Sequence, residues 1–226
     1  MALPYYSNAE ARPLTRVLKW EVDPIISRET GTLLAGDSAD RTVDIGTVLG
    51  KRLFDDPVIT PDGGNTGDGA LGTLTLGAAA KAGTYVVTCI AEAANAGTFQ
   101  VVDPDGFRLP DATVAVAYSN PQIGFTISDG ANDWDIGDVI EVEVPEGDGK
   151  LVTIDFTATD GSQRAHAVAA TRVTAPDGVD AGILTIRRQA VLARQSLIWP
   201  EGATDGQKEA ALAELAASTI ITLTEA

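Results

Sequence analysis

Apolar residues along this chain fall mostly into short runs with a period of two, broken at close intervals by turn-forming residues. Arg41–Lys51 alternates, with Val43, Ile45, Thr47 and Leu49 on one face, which predicts a half-buried strand interrupted at Gly46. Punctuation follows: Asp55-Asp56-Pro57, Pro61-Asp62-Gly63-Gly64-Asn65 and Gly67-Asp68-Gly69. Beyond it the pattern predicts strands at Gly72–Leu76, Thr84–Ala91, Thr98–Val102, Ala112–Ala117, Gly124–Ile127 and Val139–Val144. Turn clusters such as Asp103-Pro104-Asp105-Gly106 and Glu146-Gly147-Asp148-Gly149 separate them, as in a compact β sandwich or barrel. Further strands are expected at Lys150–Phe156, Gln163–Ala169, Gly182–Arg188 and Ala190–Leu197.

Helical spacing is convincing once. Thr204-Asp205-Gly206-Gln207 has capping-box form and opens a helix over Asp205–Ala217. Ala211, Leu212, Leu215 and Ala216 make its apolar stripe, and a closing strand, Thr219–Leu223, follows. Before this helix, Trp199-Pro200 reads as a structural anchor, the indole in the core and the proline ending the preceding strand. At the other end, residues 1–27 carry Pro4, Pro13 and Pro24 with scattered aromatics. They read as an extended arm that cannot build its own core and gains order from a partner. The fold class expected is mainly β with some α.

Charge divides the chain further. The formal net charge is −16, with 44% hydrophobic and 21% charged residues, an ordinary balance for a folded domain. Residues 62–147 hold thirteen acids against two bases, Lys81 and Arg108, for a net of −11. So acidic a surface excludes nucleic acid as a partner, because phosphate binding needs clustered cations. The arm alone gathers cations, Arg12, Arg16 and Lys19, next to Trp20, and these four are the candidate contacts to a partner. No apolar run approaches the ~20 residues of a membrane-crossing helix. The start lacks signal-peptide form, so synthesis in a cytoplasm is expected.

Candidate chemistry is sparse. Cys89 and His166 are the single cysteine and histidine, which leaves no Cys/His zinc site and no intrachain disulfide. Gly67-Asp68-Gly69-Ala70-Leu71-Gly72 fits GxGxxG, but a turn-rich stretch precedes it and a strand follows, the wrong context for a dinucleotide. Asp133, Asp135 and Asp138 are weak calcium candidates, since aspartates also populate ordinary turns. No nucleophile elbow or phosphate loop accompanies His166. The expectation is no enzyme, no cofactor and no metal.

Two separated stretches resemble a known family. Arg28-Glu29-Thr30-Gly31-Thr32-Leu33-Leu34-Ala35-Gly36 with Gly46-Thr47-Val48-Leu49-Gly50-Lys51 is similar to the opening of lambda-type phage head decoration proteins. Val179-Asp180-Ala181-Gly182-Ile183-Leu184 and Leu197-Ile198-Trp199-Pro200-Glu201-Gly202-Ala203-Thr204-Asp205 are similar to its second half and C-terminal signature. The resemblance implies a decoration-type β core, residues 28–61 and 148–226, with an acidic β-sandwich-like domain inserted at 62–147. It further implies a homotrimer on the outer surface of an expanded phage head, cementing neighbouring capsomers, with the major capsid protein as partner. Nucleic acid and membrane are not implied as partners. The alternative is a phage surface or tail-associated adhesin whose insert holds a glycan or host-surface ligand. Calcium dependence, or an exposed cluster of Tyr85, Phe99, Phe107, Tyr118, Phe125 and Trp134, would favour that alternative.

Overall fold

The computed structural model describes residues 12–224, and the protein is mainly β. The chain divides into two compact units, one of residues 1–51, 150–157 and 162–226, the other of residues 52–149 and 158–161. The first contains β1 (Leu18–Glu21), α1 (Pro24–Ser27), β2 (Arg28–Leu33), β3 (Arg41–Val43) and β4 (Val48–Lys51). The second contains β5 (Val58–Pro61), β6 (Thr75–Leu76), β7 (Gly83–Ala93), β8 (Ala96–Val102), β9 (Ala112–Thr113), β10 (Ala117–Ser119), β11 (Ile123–Thr126) and β12 (Val139–Val144). The chain then completes the first with β13 (Leu151–Thr153), β14 (Ala167–Ala169), β15 (Val173–Ala175), β16 (Ala181–Ile186), β17 (Ala190–Ala193), α2 (Asp205–Ala217) and β18 (Ile220–Leu223).

In the first unit, β13-β2-β16-β14-β4 close into a barrel. Leu33, Leu49, Leu151, Ala169 and Ile183 form one apolar cluster there with Val43 and Ala175. A three-stranded sheet, β1-β17-β18, lies against α2 through Leu192, Ile220, Ala211, Leu212 and Leu215. The capping box holds as expected: Thr204 Oγ1 accepts from the Gln207 amide, and the Gln207 side chain accepts from the Thr204 amide. Helix bounds agree with the capping signal because the cap is local chemistry.

The strand expected at Arg41–Lys51 is two strands. Gly46 turns the chain at φ +91°, so β3 pairs with β15 while β4 enters the barrel. Gly50 lies so close to the Ser162 backbone that a Cβ there would sit 2.0 Å from its carbonyl oxygen. Other expectations shorten in the same way. Ala112–Ala117 is cut by Ala115 at φ +62°, and Ala190–Leu197 ends at Ala193 before a 3-10 turn, Arg194–Ser196. Pro200 therefore does not end that strand. Trp199 is half-buried, its ring stacked on Phe156 at 6.4 Å, so it caps the core rather than filling it.

The reading of residues 1–27 as an arm needs correction over its described part. Val17 is fully buried, and β1 pairs antiparallel with β17, Trp20 opposite Val191 and Glu21 opposite Ala190. Asp23 caps the short α1 through the Ile25 amide at 2.8 Å. Prolines at 13 and 24 misled because each sits where it breaks no ladder, one before a 3-10 turn and one at the first position of a helix. The remainder of the expected arm, residues 1–11, lies outside the described residues.

The second unit has two sheets, β5-β12-β7-β8-β9 and β10-β11-β6, whose buried side chains share one core. Period-two burial is clean in β12, where Ile140, Val142 and Val144 point inward and Glu141 and Glu143 outward. β5 pairs with β12, so Val58–Pro61 belongs to this unit, where the sequence reading ended the decoration-type core at residue 61.

Candidate functional site

Of the four candidate contacts, the chain turns one back on itself. The Arg12 guanidinium donates to the Ser196 carbonyl, and its Nε is buried without a hydrogen-bond partner among the described residues. Arg16 and Lys19 are exposed, and the Lys19 ammonium reaches the Thr15 carbonyl at 3.4 Å. Trp20 is 57% exposed. Beside them Glu21 accepts from Arg28 Nε at 3.0 Å and from its Nη2, and that pairing raises the Arg28 pKa. A shallow groove of about 280 Å³ runs past Leu14, Leu18, Lys19 and Trp20. The β1 edge and the 3-10 turn before it thus present two cations and an indole, a surface suited to a protein partner with an acidic or apolar contact.

Strand register adds residues that the sequence reading missed. Trp20 lies opposite Val191, and Val191 opposite Ile221, so the three form one row across β1-β17-β18. Ile221 is 54% and Leu223 53% exposed, while Ile220 and Leu192 on the other face are fully buried. The available signal was Ile220-Ile221-Thr222-Leu223, apolar at both parities, as in a strand covered on both faces.

The acidic candidates of the second unit are engaged elsewhere. Asp138 accepts from the amides of Thr66 and Gly67 at 2.9 Å each and of Asp135 at 3.0 Å. Burial alone would raise its pKa, but the three amides outweigh it and the net direction is down. Asp133 accepts from the Asn95 amide and Asp135 from the Ile136 amide, both at 2.8 Å. Asp135 raises the pKa of neighbouring Glu92 by hydrogen bonding and by repulsion. Among the described residues no group of three or more acidic, His or Cys side chains is placed to hold a metal ion. All three aspartates accept hydrogen bonds from loop amides.

The GxGxxG stretch also has a mechanical role. A Cβ on Gly67 would lie 2.6 Å from the Trp134 ring, and one on Gly69 2.7 Å. Those glycines let the loop close over the indole, whose Nε1 donates to Ser128 O at 3.2 Å. Phe99 meets it edge-on at 5.3 Å. Tyr85, Tyr118, Phe125, Phe99 and Trp134 are all buried, and Phe107 alone of the six aromatics is exposed. These six side chains therefore do not form the exposed cluster that would favour an adhesin. His166 is half-buried; burial, then Arg187 and Lys51, push its pKa down to about 4 and keep the ring neutral near pH 7.

Residues 8–220 match the family model described as Bacteriophage lambda head decoration protein D. The chain belongs to this family. The matched range is wider than the two resembling stretches and takes in most of the N-terminal segment. Decoration proteins of this family have a structural role at the phage capsid, which places the protein with the virion. No curated protein matches the sequence. Two crystal forms of Xanthomonas campestris FlgL show a weak structural likeness. One is 17% identical with a TM-score of 0.32, covering 46% of this chain and 33% of that one. The other is 16% identical with a TM-score of 0.31, covering 50% and 40%. The chain therefore spans well under half of FlgL, and likeness at this level carries no argument.

Proposed function

We propose that this decoration protein is a homotrimeric cement on the outer surface of the expanded phage head, holding neighbouring capsomers together without catalysing a reaction. The family match carries this reading. Its physical support is a surface built for contact: apolar side chains stand exposed on a sheet, and exposed Arg16 and Lys19 flank them in a chain of net charge −16. A cement works by area and repetition, and a trimer multiplies weak contacts through effective concentration. Arg16 and Lys19 are assigned to the major capsid protein. Arg12 is withdrawn from that role because its guanidinium serves its own chain. The acidic second unit is assigned the solvent side.

The test is co-sedimentation of the purified protein with expanded capsids lacking it, alongside light scattering. Saturable binding in multiples of three per site is expected, with lower affinity for an Arg16→Glu, Lys19→Glu variant. Failure to bind any capsid form would remove the cement reading.

A further inference from the structure

Among the described residues, the β1-β17-β18 sheet has no further strand on either edge, and an apolar row on one of its faces is exposed. β1 and β18 lie at its two ends, and no other described strand pairs with either outer side. One face belongs to the chain's own core, with Leu192 and Ile220 fully buried beside Leu212 and Leu215 of α2. On the other stand Trp20, Val191 and Ile221 in a single row, with Leu223 two residues further along. Trp20, Ile221 and Leu223 are each more than half exposed. That row contains no carboxylate, and the nearby Glu21 is tied to Arg28. In so acidic a chain, this is a place where a like-charged copy can approach without repulsion.

The edges complement each other. β1 runs antiparallel to β17 and β18 parallel to it, so β1 and β18 point in opposite directions. Both are four residues long. Rotation about an axis along the strands preserves each strand's direction, so β18 of one copy would meet β1 of the next in antiparallel register. Pairing β18 with β18 in a two-fold dimer would leave both β1 edges unpaired. A closed ring leaves none, and closure is what removes edges.

Resting on the trimer reading above, we infer that β18 of one copy pairs with β1 of the next around the three-fold axis. The three sheets then form a continuous ring, and Trp20, Val191, Ile221 and Leu223 from each copy fill its inward face. The exposed row and the unpaired edges become parts of one interface, and the apolar residues of β18 acquire a cover on both faces.

Light scattering, circular dichroism and capsid co-sedimentation of the full chain test this with Ile221→Lys and Trp20→Lys. The unmodified protein is expected at trimer mass and each variant at monomer mass with an unchanged spectrum. Trp20→Cys combined with Ile221→Cys or with Leu223→Cys should give covalent trimers on a non-reducing gel; buried Cys89 is the only other thiol. If the trimer persists in both lysine variants and only capsid attachment is lost, the row faces the capsid protein and the inference is overturned. If the unmodified protein is a monomer in solution and on capsids, the trimer reading itself falls, which is a different result.

Discussion

The two units solve the same problem, stabilising short strands, in opposite ways. The second unit satisfies its groups internally: Asp138 gathers three loop amides, and the Asn65 side chain bonds both the amide and the carbonyl of Val139. Asp103 accepts from Lys81, Gln122 and the amides of Asp105 and Phe107. The first unit has a sheet whose two edges pair with no other described strand, and an exposed apolar row. Loops held by their own side chains mark a unit finished within one chain. Exposed strand edges and apolar rows leave surface that the proposed trimer would cover.

The sharpest test of that contrast is excision. A fragment of residues 52–149 should melt cooperatively as a monomer, read by Trp134 fluorescence and light scattering. A fragment without a melting transition would mean that this unit too depends on its surroundings. Within it, Trp134→Ala should cost about 3–5 kcal/mol, because the indole fills the centre of the core and leaves a cavity under Gly67 and Gly69. Asp138→Ala should cost about 1–3 kcal/mol by leaving buried amides unpaired, measurable as a shift in denaturant midpoint.

Acid should separate the units by pH window. His166, in the first unit, has its folded pKa lowered to about 4 from an ordinary value of about 6.5. The unfolded chain therefore takes up a proton first, and this contribution to stability is lost as pH falls from about 6.5 towards 4. Asp103, in the second unit, is held down to about 2, chiefly by the Lys81 ammonium. Its contribution is present above the ordinary carboxylate value of about 4 and is lost only as pH falls towards 2. Thermal melts from pH 7 to pH 3 should show the first unit weakening earlier, and His166→Gln should flatten that early slope. A smaller effect is expected of Arg52, whose guanidinium reaches Asp55, Asp148 and Asp160. As a partly exposed network it should lose about 1 kcal/mol or less on Arg52→Ala.

The parts of this fold legible in the sequence are those set by neighbours in the chain. The α2 capping box spans four residues, and β12 alternates without interruption, so both could be read directly. β1 could not, because what makes Leu18–Glu21 a strand is β17, about 170 residues away. Ala115 at φ +62° gave no warning either, since alanine carries no preference for that conformation. The candidate contacts were legible as a charge pattern, yet only register showed that Trp20 shares a row with Val191 and Ile221.

The two ends of the second unit's long segment are bonded to each other: the Gly149 amide donates to the Arg52 carbonyl at 3.0 Å, and the Gly147 amide to Leu53 at 2.9 Å. A segment of 98 residues thus departs and returns through a gap no wider than one hydrogen bond. A recombination that removes it, or replaces it with another domain of closely spaced termini, asks the remaining chain to bridge the span of a tight turn. Exchange of this whole segment should therefore leave the strands on either side in place, and a chain with residues 52–149 replaced by a short turn tests it.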